Sequence, residues 1–445
     1  MKTKGFSRTD QSMAPWYGIV ARRFSRVVGL GTLSVCAAVV CCSDDPPVAP
    51  LKPLRPPRSL MITADGTGDY PTIQAAINAS VDGDTIILAN GRFQGSGNRD
   101  LVFPSRSLLI RSEVESATFC TIDCASADSS PHRGFTFSQE SRVVVESITI
   151  ENGAAEGGGS GALCAPGSKP VLKNVLFQLN LTTALTGDGA SPSLIGCTFR
   201  SNSDGALFFH GGAPALIGCT FEDNFASYSG GAVAISGASV LMIDCAFERN
   251  SAGFSGGAID AVNVVGGTQP GVNVTNCRFS HNSAGYNGGA VSVTGVAFSL
   301  SKCSFVSNVS GVSGGAMSCR YAAIGTVDST LFIDNSSGQG AAAQFGASVI
   351  DMKGIIVAFN HGSEAVFCDS LDVSNSVSVL CSDVFGNDGG DWTGCLSGRL
   401  GENGNISQDP LFCDPAIGDY RLRPDSPCGS ASVCGLMGPF VIGCQ

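Results

Sequence analysis

Charge is scarce in this chain: only 14% of its 445 residues are Asp, Glu, Lys or Arg, and no long helical Ala/Glu/Lys/Leu pattern runs through it. Positive mean hydropathy with few charges excludes a disordered polar chain, and the missing helical spacing argues against a helical array. Basic residues are the scarcer sign. The whole chain carries 26 Lys+Arg against 37 Asp+Glu; without residues 1–42, which hold six of those cations and one of those anions, 20 − 36 leaves −16. Phosphate backbones are repelled by such a chain, so no nucleic-acid partner is expected. The apolar run at residues 27–40 is too short to span a bilayer.

What is abundant is Gly, at 58 residues, as a turn-rich, mostly β chain requires. At the N-terminus, Arg22, Arg23 and Arg26 precede the apolar run, which ends at Cys41 and Cys42, and residues 1–42 read as an export signal. Two fates stay open: lipidation at Cys41 or Cys42, and cleavage to a free secreted chain. Val39, Val40 and Cys41 stand where lipoprotein signals normally carry a small residue. Residues 43–58 are a Pro-rich, semi-rigid spacer. The expectation is a bacterial protein that is secreted or associated with the outer membrane or cell surface. It would be a monomer, meeting a membrane only through a lipid anchor. After the signal, 19 − 3 leaves 16 Cys, compatible with disulfides in an exported protein.

One pattern recurs. Phe221-Glu-Asp-Asn224, Phe247-Glu-Arg-Asn250, Phe279-Ser-His-Asn282 and Phe305-Val-Ser-Asn308 each reach a Gly pair six residues after the Asn. Weaker copies begin at Phe177, Phe199 and Phe332, and successive Phe positions are separated by 22, 22, 26, 32, 26 and 27 residues. A period of that length suits a coil of three short strands per turn. Within "IDCAFERN", Ile243, Cys245 and Phe247 alternate with Asp244 and Ala246, as one apolar strand face would. The fold expected is all-β: a single-stranded right-handed parallel β-helix over residues 59–400, with an N-terminal capping helix and an irregular C-terminal cap over 401–445.

In such a coil, equal repeat positions stack about 4.8 Å apart and form ladders. Phe221, Phe247, Phe279 and Phe305 are expected to stack inside. Asn224, Asn250, Asn282 and Asn308 should sit at a corner, hydrogen-bonding along the stack to backbone groups that the bend leaves unpaired. The Gly pairs supply positive φ or close backbone approach. Cys197, Cys219, Cys245, Cys277 and Cys303 each stand two residues before their Phe, facing inward. A straight column cannot surround zinc tetrahedrally, and in-register Cβ vectors are poorly aimed for disulfides, so these act as small buried residues and no metal is expected. Cys368, Cys381, Cys395, Cys413, Cys428, Cys434 and Cys444 lie in loop-like sequence and are the better disulfide candidates, with connectivity open. Residues 71–80, with Ile73, Ala76 and Ile77 on one helical face, read as a lid on the first turn.

The Phe-x-x-Asn and Gly-Gly-Ala-Ile/Val pairs over residues 199–335 resemble the repeats of chlamydial polymorphic outer membrane proteins. Residues 66–93 are similar to the opening of pectin-lyase-like β-helix proteins. The second resemblance implies the coil from Gly66 to the C-terminal region. It also raises three chemistries whose signatures the chain lacks. Pectate lyases carry Arg-x-Pro-x-x-Arg and a calcium ion. Methylesterases carry Gly-x-x-Asp-Phe-x-x-Gly with Arg-Pro-Trp. Galacturonases carry Asn-Thr-Asp, Asp-Asp and Gly-His-Gly; here Asp-Asp occurs only at Asp44-Asp45, in the spacer. Nothing after residue 335 reads as membrane-barrel strands.

One outward cluster emerges from the repeat frame. Asp244, Arg278 and Lys302, one and three residues before their Phe on neighbouring turns, are the candidate ligand-binding residues for an anionic sugar. Catalytic residues are not assigned. His210 and His281 have no motif partner and read as surface or turn residues. The missing motifs favour a scaffold for glycan or surface recognition and adhesion, without catalysis or cofactor, whose partner is an extracellular polysaccharide or a cell surface. The alternative is a pectate-lyase-like lyase or a glycoside hydrolase acting on acidic polysaccharide, where calcium would enter. A passive envelope component is the third reading.

Overall fold

The computed structural model describes residues 55–124, 130–263, 271–369, 375–429 and 434–444. The signal at 1–42, Cys41 and Cys42, the spacer up to residue 54 and most of the insertion at 266–271 lie outside the described residues.

One turn shows the plan. Val240–Ile243 belongs to a first sheet, Ala246–Glu248 to a second, the two residues Ser251–Ala252 to a short strip, and Ile259–Val262 to a third sheet. Gly271–Thr275 then re-enters the first sheet beside Val240–Ile243. Within the coil, neighbouring strands of each sheet pair in parallel from one turn to the next, and Phe221, Phe247, Phe279 and Phe305 are direct register partners; Phe412–Asp414 and Asp419–Leu422 form a separate antiparallel pair. Among the described residues the first, second and third sheets have 13, 12 and 11 strands and the strip six. The fold is the expected all-β right-handed parallel β-helix.

The corners are tighter than the apolar alternation predicts. Ile243 faces outward at the end of its strand while Met242 faces in, and Asp244 then turns the chain at φ 55. Alternation restarts at Cys245, so Ile243, Cys245 and Phe247 do not share one strand face. The left-handed residue rotates the chain by roughly a half-step of the pleat, which resets its parity. Equivalent residues Asn276 and Lys302 have φ 53 and 54, and a second left-handed position stands just before each ladder Asn, as at Arg249 and His281 (φ 52 and 55).

The interior is built from columns. Phe177, Phe199, Phe221, Phe247, Phe279, Phe305 and Phe332 stack with centroids 4.6 to 5.1 Å apart and rings parallel to within 6°. Beside them the Asn column runs unbroken. Asn250 donates its backbone N–H and its amide Nδ2 to Asn282 Oδ1, both at 3.0 Å, and its Nδ2 also reaches the Phe221 carbonyl at 3.0 Å. Each turn repeats this from Asn180 to Asn387, where the Asp391 carboxylate accepts in place of the next amide. Asn360 and Asn387 belong to the column although Val357 and Val384 stand where the earlier turns have Phe. The two glycines of each pair do different work. Gly256 adopts φ 62, whereas a Cβ on Gly257 would sit 2.1 Å from the Gly289 carbonyl oxygen of the next turn.

The five stacked cysteines stay thiols at the corner after the first sheet. Cys197, Cys219, Cys245 and Cys303 each donate Sγ–H to a carbonyl one turn back, for example Cys197 to Leu172 O at 3.3 Å. Burial pushes the Cys303 thiol up to about 11, so it holds its proton.

The helix Ile73–Ala79, capped by Thr72 Oγ1, buries Ile73, Ala76 and Ile77 over the first turns. At the far end Trp392, Cys395 and Leu396 pack against the same core. The remaining C-terminal segment lies along the flank of the second sheet, where Phe412, Leu422 and Met437 cover the outward side chains Val306, Leu331, Ile333 and Ile356. Cys368–Cys395 ties this end of the coil, and Cys381–Cys434 and Cys413–Cys444 secure the segment, leaving Cys428 as a thiol that donates to Asp383 Oδ2 at 3.1 Å.

Candidate functional site

Of the three residues singled out by the repeat frame, the structure brings two together. Arg278, at the start of the second-sheet strand Arg278–Ser280, and Lys302, at the corner one turn on, line a cavity of about 170 Å³ closed by Tyr420, Pro439 and Phe440 of the C-terminal segment. Asp244 is not part of its lining; its Oδ1 accepts from Asn276 Nδ2 at 2.6 Å. Burial raises the Tyr420 phenol, helped by Asp334 and opposed by Arg278. Nearby corners carry a row unforeseen in the sequence: His361 bridges Asp334 Oδ1 (2.9 Å) and Asp388 Oδ2 (3.1 Å). Its pKa is raised, first by the Asp388 hydrogen bond. The row is half exposed, and exposed ion pairs of this kind contribute little. His210 Nδ1 lies 3.4 Å from Ser236 Oγ.

A larger feature lies along the outer face of the third sheet. There Phe208, Ala234, Asp260, Ser292, Ser318, Gln344 and Phe367 form one in-register column, and Ser236, Val262, Thr294 and Arg320 run beside it. Two hollows follow this face. One, of about 400 Å³, is lined by Phe208, Asp204, Tyr228 and Asp260, and the other, of about 240 Å³, by Arg320, Tyr321, Gln344 and Asp369.

An aromatic row borders the face. Tyr228, Phe254 and Tyr286 project from the corner between the strip and the third sheet, with ring centroids 5.4 and 4.6 Å apart. Their backbones are tied turn to turn, Phe254 N–H to Tyr228 O and Tyr286 N–H to Phe254 O. Tyr228 is 71% exposed and Tyr286 49%, so the row is a surface and not core. All three stand two residues before a Gly pair, and Val312 holds the same place on the next turn. That position, seven residues after each inner Phe, is regular in the sequence, but its identity shifts between Tyr, Phe and Val while the inner Phe stays constant.

Asp260 is the unusual titratable group here. It occupies an outward position on Ile259–Val262, half-buried in the floor, and desolvation pushes its carboxyl up to about 6 against the opposing Ser292 hydrogen bond and the charge of Arg320. A carboxyl so placed exchanges a proton near neutral pH, and Asp204 supplies a second carboxyl to the same hollow. Arg320 also lies 5.7 Å from the Tyr321 ring centroid. Among the described residues, no three His, Cys, Asp or Glu side chains converge as a metal site.

A family model described as "Right handed beta helix region" matches residues 92–247 and 160–327, together more than half of the chain. No curated protein matches the sequence. Among solved structures, the mannuronan C-5 epimerase AlgE4 A-module of Azotobacter vinelandii is 13% identical with TM-score 0.40, over 71% of this chain and 90% of that one. The pectate lyase Pel9A is 14% identical with TM-score 0.44, over 87% and 96% respectively. The α-1,3-glucanase catalytic unit of Streptomyces thermodiastaticus strain HF3-3 is 14% identical with TM-score 0.42, over 76% and 70%.

Proposed function

We propose, from the premise that this chain belongs to the right-handed β-helix family, that it is an exported scaffold which holds a glycan chain along its third sheet. The aromatic row carries the reading. Exposed rings stacked turn upon turn present a continuous apolar strip to water, and the apolar C–H faces of sugar rings pack on such a row. Polar side chains that line the two hollows, Thr183, Ser229 and Ser236 in one and Arg320 and Gln339 in the other, offer hydrogen-bonding groups to sugar hydroxyls, and the larger hollow is of ligand size. Export, as a secreted or surface-associated bacterial protein, rests on the basic and apolar segment before Cys41 and Cys42; lipidation there would supply the membrane contact. Recognition needs no cofactor, and calcium belongs to the lyase reading alone.

Asp260 supports a second reading, a polysaccharide-cleaving enzyme. A carboxyl with pKa about 6 is a competent proton donor, and glycoside hydrolysis requires a partner carboxylate, for which Asp204 is available.

Residues 43–445 titrated against neutral and acidic polysaccharides test both. Recognition predicts retention by at least one glycan, weakened about tenfold or more by Tyr228→Ala with Tyr286→Ala, with no new reducing or unsaturated ends. New ends that vanish in Asp260→Asn would transfer the site to the enzyme reading; undiminished binding by the aromatic double variant would reject the groove.

A further inference from the structure

On the opposite edge of the third sheet, where the N-terminal turns pass to the first sheet, three successive corners enclose a cleft of about 660 Å³. Each corner contributes a cation: Arg106, Arg142 and Lys169. Arg106 is anchored, its Nη1 donating to the Ser80 carbonyl. Arg142 and Lys169 are exposed and form no ion pair among the described residues, and the backbone fixes their relation. Arg142 N–H donates to Arg106 O at 3.2 Å and Lys169 N–H to Ser141 O at 3.1 Å, so Lys169 stands directly one turn beyond Arg142. Like charges on adjacent in-register strands repel, and a bound anion reverses the sign of that interaction.

We propose that this cleft binds the carboxylate or sulfate groups of an acidic glycan chain. Its location shares no lining residue with the third-sheet hollows, so it does not rest on the aromatic groove. Three turns extend it over roughly 10 Å of coil, room for more than one sugar and more than a single small ion needs. Two acids, Asp82 and Glu140, share the lining, and Asp82 Oδ1 is held by the Ser107 N–H. Cations interrupted by acids suit spaced anionic substituents. A densely charged nucleic-acid strand is disfavoured by those acids and by the net charge of −11.

The test compares the parent protein with the double variant Arg142→Gln, Lys169→Gln, whose exposed positions leave the melting temperature unchanged. Probes are polygalacturonate, dextran sulfate, neutral dextran and single-stranded DNA at low salt. Polygalacturonate or dextran sulfate is expected to bind the parent and to lose about tenfold or more in the variant, with salt weakening the parent more steeply. Which of the two binds tells uronate from sulfate ester. The Tyr228→Ala, Tyr286→Ala variant keeps this polyanion binding even if the groove reading fails. Equal affinity of parent and charge variant, no binding of either polyanion, or DNA bound as tightly as polygalacturonate would overturn the assignment.

Discussion

Asn282 joins three turns. Its Oδ1 accepts two hydrogen bonds from Asn250, and its Nδ2 donates to the Phe247 carbonyl and to Asn308 Oδ1, each near 3.0 Å. Asn282→Ala leaves the buried Asn250 backbone N–H without its acceptor, takes one of two acceptors from Asn250 Nδ2, and removes the amide donor to the Phe247 carbonyl and Asn308 Oδ1. The expected loss is about 2–4 kcal/mol, read from the denaturation midpoint, since each orphaned buried group costs on the order of 1–3 kcal/mol. Asn282→Asp keeps the acceptor, lacks both donors and buries a charge, so it should be at least as damaging; a neutral effect of either would mean that the column does not hold the coil. Such residues were legible because the same chemistry recurs at a fixed offset. Asn360 and Asn387 escaped notice because Val replaces the Phe that marks the motif. The row Tyr228, Phe254, Tyr286 recurs as regularly but varies in identity, and the raised pKa of Asp260 comes from burial in the folded coil, which no local window of sequence contains.

At the scale of elements, strand order and register followed from the period, while the corners did not. A non-glycine residue at positive φ, such as Lys302, is not marked by composition; the ladders on either side hold it there. The C-terminal segment was expected as a terminal cap, and its position along the second sheet became visible only through Leu331–Ile333 and Ile356–Ala358, strands buried on both faces. This arrangement makes the Cys413–Cys444 link, which closes 31 residues, a local clamp. Replacing both cysteines with Ser should destabilise the segment by roughly 4 kcal/mol on loop entropy. Hydrogen exchange would then quicken in Phe412–Asp414 and Asp419–Leu422 while the central Phe column stays protected. Uniform loss of protection throughout the coil would instead make this segment part of the folding core.

At the scale of the molecule, a coil turns residue chemistry into length. The column from Phe208 to Phe367 passes through six in-register steps, which at about 4.8 Å each gives a face of roughly 29 Å. A compact pocket saturates once one or two sugars are bound. A glycan that reaches from one hollow to the other adds contacts as it lengthens until it occupies both, because ordering the chain is repaid only by contacts made along it. Affinity for oligosaccharides of the binding polymer should therefore rise steeply with length and level off when the oligomer spans about 29 Å. Substitution at the two ends ought to separate the hollows: Tyr228→Ala should weaken short and long oligomers alike, whereas Gln344→Ala, near Arg320 and Tyr321, should weaken only the long ones and bring the plateau to shorter lengths. Calorimetric titration across an oligomer series reads this directly. A plateau already reached by a disaccharide, unaffected by Gln344→Ala, would confine binding to the single hollow around Asp260 and remove the second hollow from the site.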